Sequence, residues 1–520
     1  MAKDKTDLNV LIILDGWGIN PDRKGNAFAL AETPFLDMLE NQYQCSKLES
    51  SGEAVGLPPN TMGNSEVGHM NIGAGRKVFQ DLVRINQAIS DKTFFENTKF
   101  LNLFDKIKAK NGALHLFGLL SNGGVHGHID HIFALIDMAK SSGIKNLFIH
   151  PIMDGRDTGP KSGLKFLQSL QDYLDNKQYG RIASIVGRYY AMDRDTRWDR
   201  VEKAYRLYTE PGSDFADDPV MVVKNSYEAG KTDEFIEPVS IRNNSEDIDN
   251  IVKDDDGIIF FNFRADRAKE ITRAFTQPDF TEFKRIQIKL AGFVCMTQYD
   301  EHFDLPAAFE PLALTNVFGE VISNQGLSQL RLAETEKFAH VTYFFNGGNE
   351  KILKNEKRVL IPSPRDVATY DEKPEMSAFK IAEAAIENIN KDKFSLIVIN
   401  FANMDMVGHT GILDAAVQAC KVVDKALEKV VKKVWEKGGT AFITADHGNS
   451  EQMIADNGEP HTTHTLNPVK FIAAGEKFKK SNRNNTEMSD GILGDIAPTI
   501  LKNMDINIPT EMTGQILIKF

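Results

Sequence analysis

Residues able to hold a divalent cation occur toward both ends of the chain. They are Asp15 in Leu14-Asp15-Gly16-Trp17-Gly18, Asp405 with His409 four residues on, the pair Asp446-His447, and His464. Carboxylates and imidazoles without thiolates suit Mn²⁺, Zn²⁺ or similar ions better than calcium cages or soft metals. Each segment alone has an ordinary alternative. Asp15 could form a strand-end turn. Asp405 and His409 could share one helix face or bracket a turn as an exposed polar pair. His464, among Thr462, Thr463 and Thr465, could be a loop histidine. Asp446-His447-Gly448 is more telling, because the run Phe442-Ile443-Thr444 would deliver two metal-type side chains into one glycine-loosened turn.

Ser65, in Thr61-Met62-Gly63-Asn64-Ser65-Glu66-Val67-Gly68-His69, is the candidate nucleophile. Its neighbourhood fits a helix N-cap equally well. A nearby pair of divalent ions would change its chemistry. Metal binding favours the alkoxide and can stabilise both the attacking and the leaving oxygen of an in-line phosphoryl displacement. A helix N-terminus suits a phosphorylated intermediate.

The elements that must position these groups are short β-branched runs alternating with helical patterns, the βαβ signature of parallel sheets with covered faces. Strands are expected over 8–14, 113–120, 146–149, 181–186, 257–261, 396–399 and 440–444. Asp15 and Asp446 then sit where strands end, the edge at which open α/β sheets bind ligands. Over 413–437, Val417, Cys420, Val423, Leu427, Val430, Val431 and Val434 recur at helical spacing up to Gly438-Gly439, which predicts a crossover helix joining two neighbouring strands. The polar stretches 243–256 and 479–490 read as surface loops. Neither internal repeats nor low-complexity tracts are visible.

With 520 residues, 42% hydrophobic and 26% charged, the chain is an ordinary globular one, too long for a single core. Metal-type ligands toward both ends and arginine-rich motifs in the middle predict one domain inserted into another, with crossings near 76–81 and 309–315. The net charge of −12 argues against nucleic acid and anionic membranes as partners, so an anionic substrate must meet locally concentrated positive charge. Cys45, Cys295 and Cys420 are too scattered for a disulfide framework or a zinc knuckle and read as buried free thiols. The polar start and the short run Val10 to Leu14 suit neither a signal peptide nor a membrane span, so a cytoplasmic location is expected.

The combination of Asp15-Gly16-Trp17-Gly18, Gly63-Asn64-Ser65-Glu66-Val67-Gly68-His69, Asn403-Met404-Asp405-Met406-Val407-Gly408-His409-Thr410 and Thr444-Ala445-Asp446-His447-Gly448-Asn449 closely resembles cofactor-independent phosphoglycerate mutase, of the alkaline-phosphatase superfamily. The likeness runs to Gly494-Asp495-Ile496-Ala497-Pro498-Thr499. It implies an α/β fold: an alkaline-phosphatase-like three-layer α/β/α metal-binding domain from residues 1–79 and 313–520, and an inserted α/β substrate-binding domain over 80–312. It also implies that Asp15, Ser65, Asp446 and His447 hold one metal and Asp405, His409 and His464 the other. Mn²⁺ is the usual ion, 2,3-bisphosphoglycerate is not needed, and the protein is expected to be a monomer.

A phosphorylated carboxylic acid carries charge at both ends, and guanidinium groups grip phosphate and carboxylate in bidentate fashion. They occur in Asp154-Gly155-Arg156-Asp157-Thr158, Gly187-Arg188-Tyr189-Tyr190-Ala191-Met192-Asp193-Arg194 and Phe261-Asn262-Phe263-Arg264-Ala265-Asp266-Arg267, each after a strand-like run. Each arginine alone reads as a surface ion-pair partner; Arg264 and Arg267, three apart, would project together from a helix start. The resemblance assigns substrate contacts to His126, Arg156, Asp157, Arg188, Arg194, Arg264, Arg267 and Lys337, although His128 is locally as good a candidate as His126. His69, His131, His150 and His461 are read as structural or supporting.

The expected reaction is interconversion of 3-phosphoglycerate and 2-phosphoglycerate, as an isomerase of the intramolecular phosphotransferase class. Ser65 would attack, Lys337 and the metals would neutralise developing charge, Asp157 could shuttle the hydroxyl proton, and a two-domain clamp would keep water out. The alternatives are a metal-dependent phosphomonoesterase with the same serine site left open, and a non-catalytic metal-binding protein of the same fold.

Overall fold

The computed structural model describes residues 7–212, 214–242, 250–481 and 487–519. Residues 243–249 and 482–486 of the two expected surface loops lie outside the described residues. The chain divides into two compact units, Met1–Gln80 with Ala313–Phe520, and Asp81–Leu312.

The first unit is built on an eight-stranded sheet ordered Glu356–Ile361, Gln329–Glu334, Leu396–Phe401, Asn9–Leu14, Thr440–Thr444, Val469–Ala474, Gln44–Glu49 and Gly491–Ile492. The first five strands run parallel, and Val469–Ala474 is antiparallel to both its neighbours. Asn9–Leu14, Leu396–Phe401 and Thr440–Thr444 are buried at every residue, which requires a covering layer on each face. This is the three-layer α/β/α arrangement expected of an alkaline-phosphatase-like domain. The long helix is Leu413–Glu436, as its periodicity predicts. The strands on either side of it are not neighbours, however: Asn9–Leu14 lies between them and pairs with both. A chain segment from the far N-terminus fills the slot that local reading assigned to a direct pairing.

Gln329–Glu334 and Glu356–Ile361 escape sequence reading because charged residues interrupt their apolar pattern. Arg331 is fully buried, donates to Gln329 Oε1 at 2.7 Å, and lies 4.4 Å from the Phe345 ring centre.

The second unit has parallel strands Ala307–Phe309, Gly292–Thr297, Gly257–Phe260, Leu114–Leu120, Leu147–Met153 and Ser184–Gly187 in sheet order, followed by Val239–Ile241 and Phe215–Ala216. Leu114 and Leu116 join one apolar cluster and Phe117 and Leu119 another, so this sheet too is packed on both faces. The strand expected over 146–149 extends to Met153, and that over 181–186 breaks into Arg181–Ile182 and Ser184–Gly187. Residues 250–256 are irregular; Ile251, Val252 and Asp256 are buried while Lys253 and Asp254 between them are exposed, so only the middle of that part is a surface loop. Cys295 and Cys420 are buried free thiols, whereas Cys45 is only half-buried, on a strand toward the sheet's edge. No helix is long and apolar enough to cross a membrane, among the described residues.

Candidate active site

In the first unit the groups singled out by type meet at the carboxyl edge of the central parallel strands. Asp15 directly follows Asn9–Leu14, and Asp446-His447 follow Thr440–Thr444. Asp405 lies within the short helix Asn403–Gly408, whose C-cap is His409.

Ser65 is the first residue of helix Ser65–Ala74 and is not its cap. Asn64 takes that role: its side chain accepts the backbone N–H of Val67 at 2.9 Å. The capping function expected of Ser65 thus falls to its neighbour, and the serine hydroxyl is left for other partners. Its Oγ is 2.6 Å from Lys337 Nζ, 2.9 Å from His447 Nε2 and 3.2 Å from Asp15 Oδ1. Lys337 also donates to Asp15 Oδ1 at 2.8 Å and Asp405 Oδ2 at 2.6 Å. Burial would lower the Lys337 pKa, but Asp15, Asp405 and Asp446 outweigh it and hold the ammonium strongly protonated. Burial, reinforced by Asp446, raises the Asp15 carboxyl, while at Asp405 the Lys337 charge and the His409 and His464 hydrogen bonds overcome burial and hold it well below the carboxylate range.

The site can be tested for its fit to metal ions. His409 Nδ1 faces the Thr462 carbonyl at 2.8 Å and His464 Nδ1 that of Gly63 at 2.9 Å, so both N–H groups are engaged away from the cluster. Their Nε2 atoms stand 3.1 Å apart, each 3.2 Å from Asp405 Oδ1. In their neutral form these imidazoles would turn two Nε2 lone pairs toward the same point as a carboxylate oxygen, a cation-binding group. Nearby, fully buried Asp446 has an Oδ2 with no hydrogen-bond donor, because His69 Nδ1, 3.2 Å away, is directed at the Ser65 carbonyl at 2.8 Å. An orphaned buried carboxylate oxygen likewise fits a metal. Ligand atoms within 4.8 Å of one another form the sets Asp405, His409, His464; Asp15, Asp405, His447; and Asp15, His69, Asp446.

The second unit gathers its candidates after the carboxyl ends of four adjacent strands, Gly257–Phe260, Leu114–Leu120, Leu147–Met153 and Ser184–Gly187. Arg188 is buried and reaches Asp154 at 2.6 Å and Asp157 at 2.7 Å. Asp154 also accepts the backbone N–H groups of Arg156 and Asp157 and the hydroxyl of Ser121. Asp266 gathers Arg194 at 3.0 Å, Arg264 at 3.2 Å and His126 at 3.6 Å. Burial, with Arg188 adding to it, pushes the His126 pKa down to about 4. His128 instead caps helix Ile129–Ser141, so the two histidines are told apart by position. Arg264 and Arg267 precede helix Lys269–Thr276 in an irregular connection and do not project from its start; Arg267 donates to the Met192 carbonyl at 3.1 Å. Arg156, 56% exposed, lies 3.4 Å from Glu234. Lys337 belongs to the serine cluster of the first unit.

Sequence reasoning missed Asn400, whose amide donates to Asp15 Oδ2 at 2.8 Å and lies 3.0 Å from His69 Nε2. A polar residue inside the fully buried run Leu396–Phe401 was the available signal. It also missed Asp154 as a holder of Arg188.

Residues 85–301 match a family model described as the BPG-independent PGAM N-terminus. A 2,3-bisphosphoglycerate-independent phosphoglycerate mutase of Syntrophotalea carbinolica is 50% identical over 510 residues, covering 98% of each chain. One from Methanosarcina barkeri is 52% identical over 511 residues, again 98% of each. The crystal structure of Leishmania mexicana phosphoglycerate mutase at low cobalt concentration superposes with a TM-score of 0.63 at 32% identity, covering 99% of this chain and 98% of that one. Fold and likeness together define an α/β phosphoglycerate mutase. The chain belongs to the 2,3-bisphosphoglycerate-independent phosphoglycerate mutase family, a metal-dependent one.

Proposed function

We propose that this chain interconverts 3-phosphoglycerate and 2-phosphoglycerate through a phosphoserine at Ser65, without a bisphosphoglycerate primer. The observation that carries this mechanism is the convergence of Lys337, His447 and Asp15 on the Ser65 hydroxyl, at 2.6, 2.9 and 3.2 Å. Relatives half identical over nearly the whole chain, all named as mutases, favour transfer over hydrolysis.

Asp15, Ser65, Asp446 and His447 would hold one divalent ion and Asp405, His409 and His464 a second, with Mn²⁺ the expected metal. When bound, the ions supply Lewis-acid stabilisation of the serine oxygen and of the transferring group. Lys337 adds fixed positive charge at the same oxygen, where it counts most because the surroundings are dry. The deprotonated Ser65 oxygen bonds to phosphorus as the bond to the 3-oxygen breaks; the 2-oxygen of the retained glycerate then takes the phosphoryl group back and frees Ser65, deprotonated as before. Asp157 carries the proton between the two substrate oxygens. His126, Arg156, Arg188, Arg194, Arg264 and Arg267 grip the phosphate and carboxylate charges. The unit of residues 1–80 and 313–520 is on this basis the metal-binding one, and that of 81–312 the substrate-binding one. The enzyme acts as a cytoplasmic monomer.

The test is the product ratio with 3-phosphoglycerate and Mn²⁺. 2-Phosphoglycerate should form with little free phosphate, and Ser65→Ala should lose roughly 10⁴-fold or more in rate. Dominant phosphate release would point to a phosphomonoesterase. Undiminished transfer by Ser65→Ala would remove the covalent step.

A further inference from the structure

We propose that Glu451 is the positioning residue that sets the metal-ligand geometry, by tying together the segments that carry the ligands. The proposal rests on the metal-site reading above. Glu451 is 1% exposed, and its carboxylate is held by hydrogen-bond donors from three places in the chain. Oε2 accepts the backbone N–H of Gly18 at 3.1 Å and of Asn449 at 2.7 Å. Oε1 accepts Asn467 Nδ2 at 2.9 Å and the Thr465 hydroxyl. Gly18 closes the turn begun by Asp15, Asn449 follows Asp446-His447, and Thr465 follows His464. The fourth ligand segment is reached at one remove, since Asn449 Nδ2 donates to Asp405 Oδ1 at 2.9 Å.

Glycines make this approach possible. A Cβ at Gly18 would meet the Glu451 carboxylate closer than 3.0 Å, and one at Gly448 would meet both it and the Thr465 hydroxyl. A Cβ at Gly408 would collide with the Asn449 amide. The glycines of the Asp15, His409 and His447 motifs are therefore the space into which the tie fits. Among the described residues no lysine or arginine pairs with Glu451, so its charge is met by these dipoles alone. A buried carboxylate offset only by donors from separate loops holds those loops in place, because releasing any one leaves the charge under-solvated. Orientation of ligands by groups beyond them sets metal affinity, typically by 10–100-fold.

Glu451→Gln keeps shape and size, but its amide must turn an N–H toward two of the four donors. Calorimetric titration of the full chain with Mn²⁺ should show affinity about 10–100-fold weaker than wild type, with excess Mn²⁺ restoring turnover. Thr465→Val, which removes the hydroxyl that donates to Glu451 and accepts the Asn467 backbone N–H but leaves the carboxylate, should weaken Mn²⁺ several-fold and serves if the first variant does not fold. Folded variants that bind Mn²⁺ as wild type does, with only a lowered melting temperature, would overturn the proposal and leave the metal site standing. A wild-type chain that takes up no Mn²⁺ would overturn both.

Discussion

The Lys337 ammonium and the Ser65 hydroxyl oxygen are 2.6 Å apart, with Asp15 Oδ1 2.8 Å from the same ammonium. A buried cation therefore stands at the proposed nucleophile, among carboxylates that also form the metal-type sets.

Lys337→Met should be harmful in two separable ways. Removing one partner of a buried charge cluster costs about 3–5 kcal/mol, so chemical denaturation in chelator should show a loss of that order. Divalent cations carry compensating charge, and the loss should shrink when Mn²⁺ is added. Turnover should stay about 10²–10³-fold low even at saturating Mn²⁺, because a fixed charge at the reacting oxygen is gone.

Chelation of the wild-type chain should abolish turnover and lower the melting temperature together. A ligand bound only by the folded state contributes about 2.7 kcal/mol at a hundredfold excess over its Kd. Differential scanning fluorimetry across a Mn²⁺ series would show the midpoint rising with log concentration. A midpoint indifferent to Mn²⁺ would contradict the two-metal site.

Arg188→Lys should raise KM for phosphoglycerate roughly ten- to hundredfold, the range for lost charged hydrogen bonds. A single nitrogen, Nη1, meets both Asp154 at 2.6 Å and Asp157 at 2.7 Å, which leaves the rest of the planar guanidinium for the substrate, and one ammonium cannot serve both. Mn²⁺ affinity should not change. Steady-state kinetics beside metal titration separates the two effects.

His131 is fully buried, its Nε2 2.8 Å from the Asn86 side-chain oxygen, and burial, with a contribution from His128, lowers its pKa from an ordinary 6.5 to about 3. Above 6.5 the imidazole is neutral whether folded or not, so it makes no difference there. As pH falls from 6.5 toward 3 the unfolded chain gains a proton that the folded one refuses. Stability should therefore fall by about 1.4 kcal/mol per pH unit from this residue alone. In denaturant titrations between pH 7 and pH 4, His131→Gln should be less acid-sensitive than wild type by about one proton.

Much of the site was legible because its chemistry is carried by residue type next to local punctuation. Asp15 and Asp446 end apolar runs, and parallel sheets place such residues at one edge. His69 and Asn400 were not legible as partners, since nothing local relates them. Their 3.0 Å contact exists because helix Ser65–Ala74 packs beside the end of Leu396–Phe401. The strand Gln329–Glu334 was hidden because a hydropathy pattern counts the buried Arg331 charge against a strand, whereas the Phe345 ring and the Gln329 side chain compensate it.

By itself the sequence determined the family, the α/β alternation and which side chains bear the chemistry, because these depend on residue type and short-range spacing. Tertiary structure decided what those side chains do to one another. It made Asn64 the helix cap and left Ser65 its hydroxyl, set Lys337 with the serine, and brought Glu451 to three loops at once. Each of these depends on distances of a few ångströms between residues up to hundreds of positions apart. Chain connectivity leaves such distances open, and packing closes them.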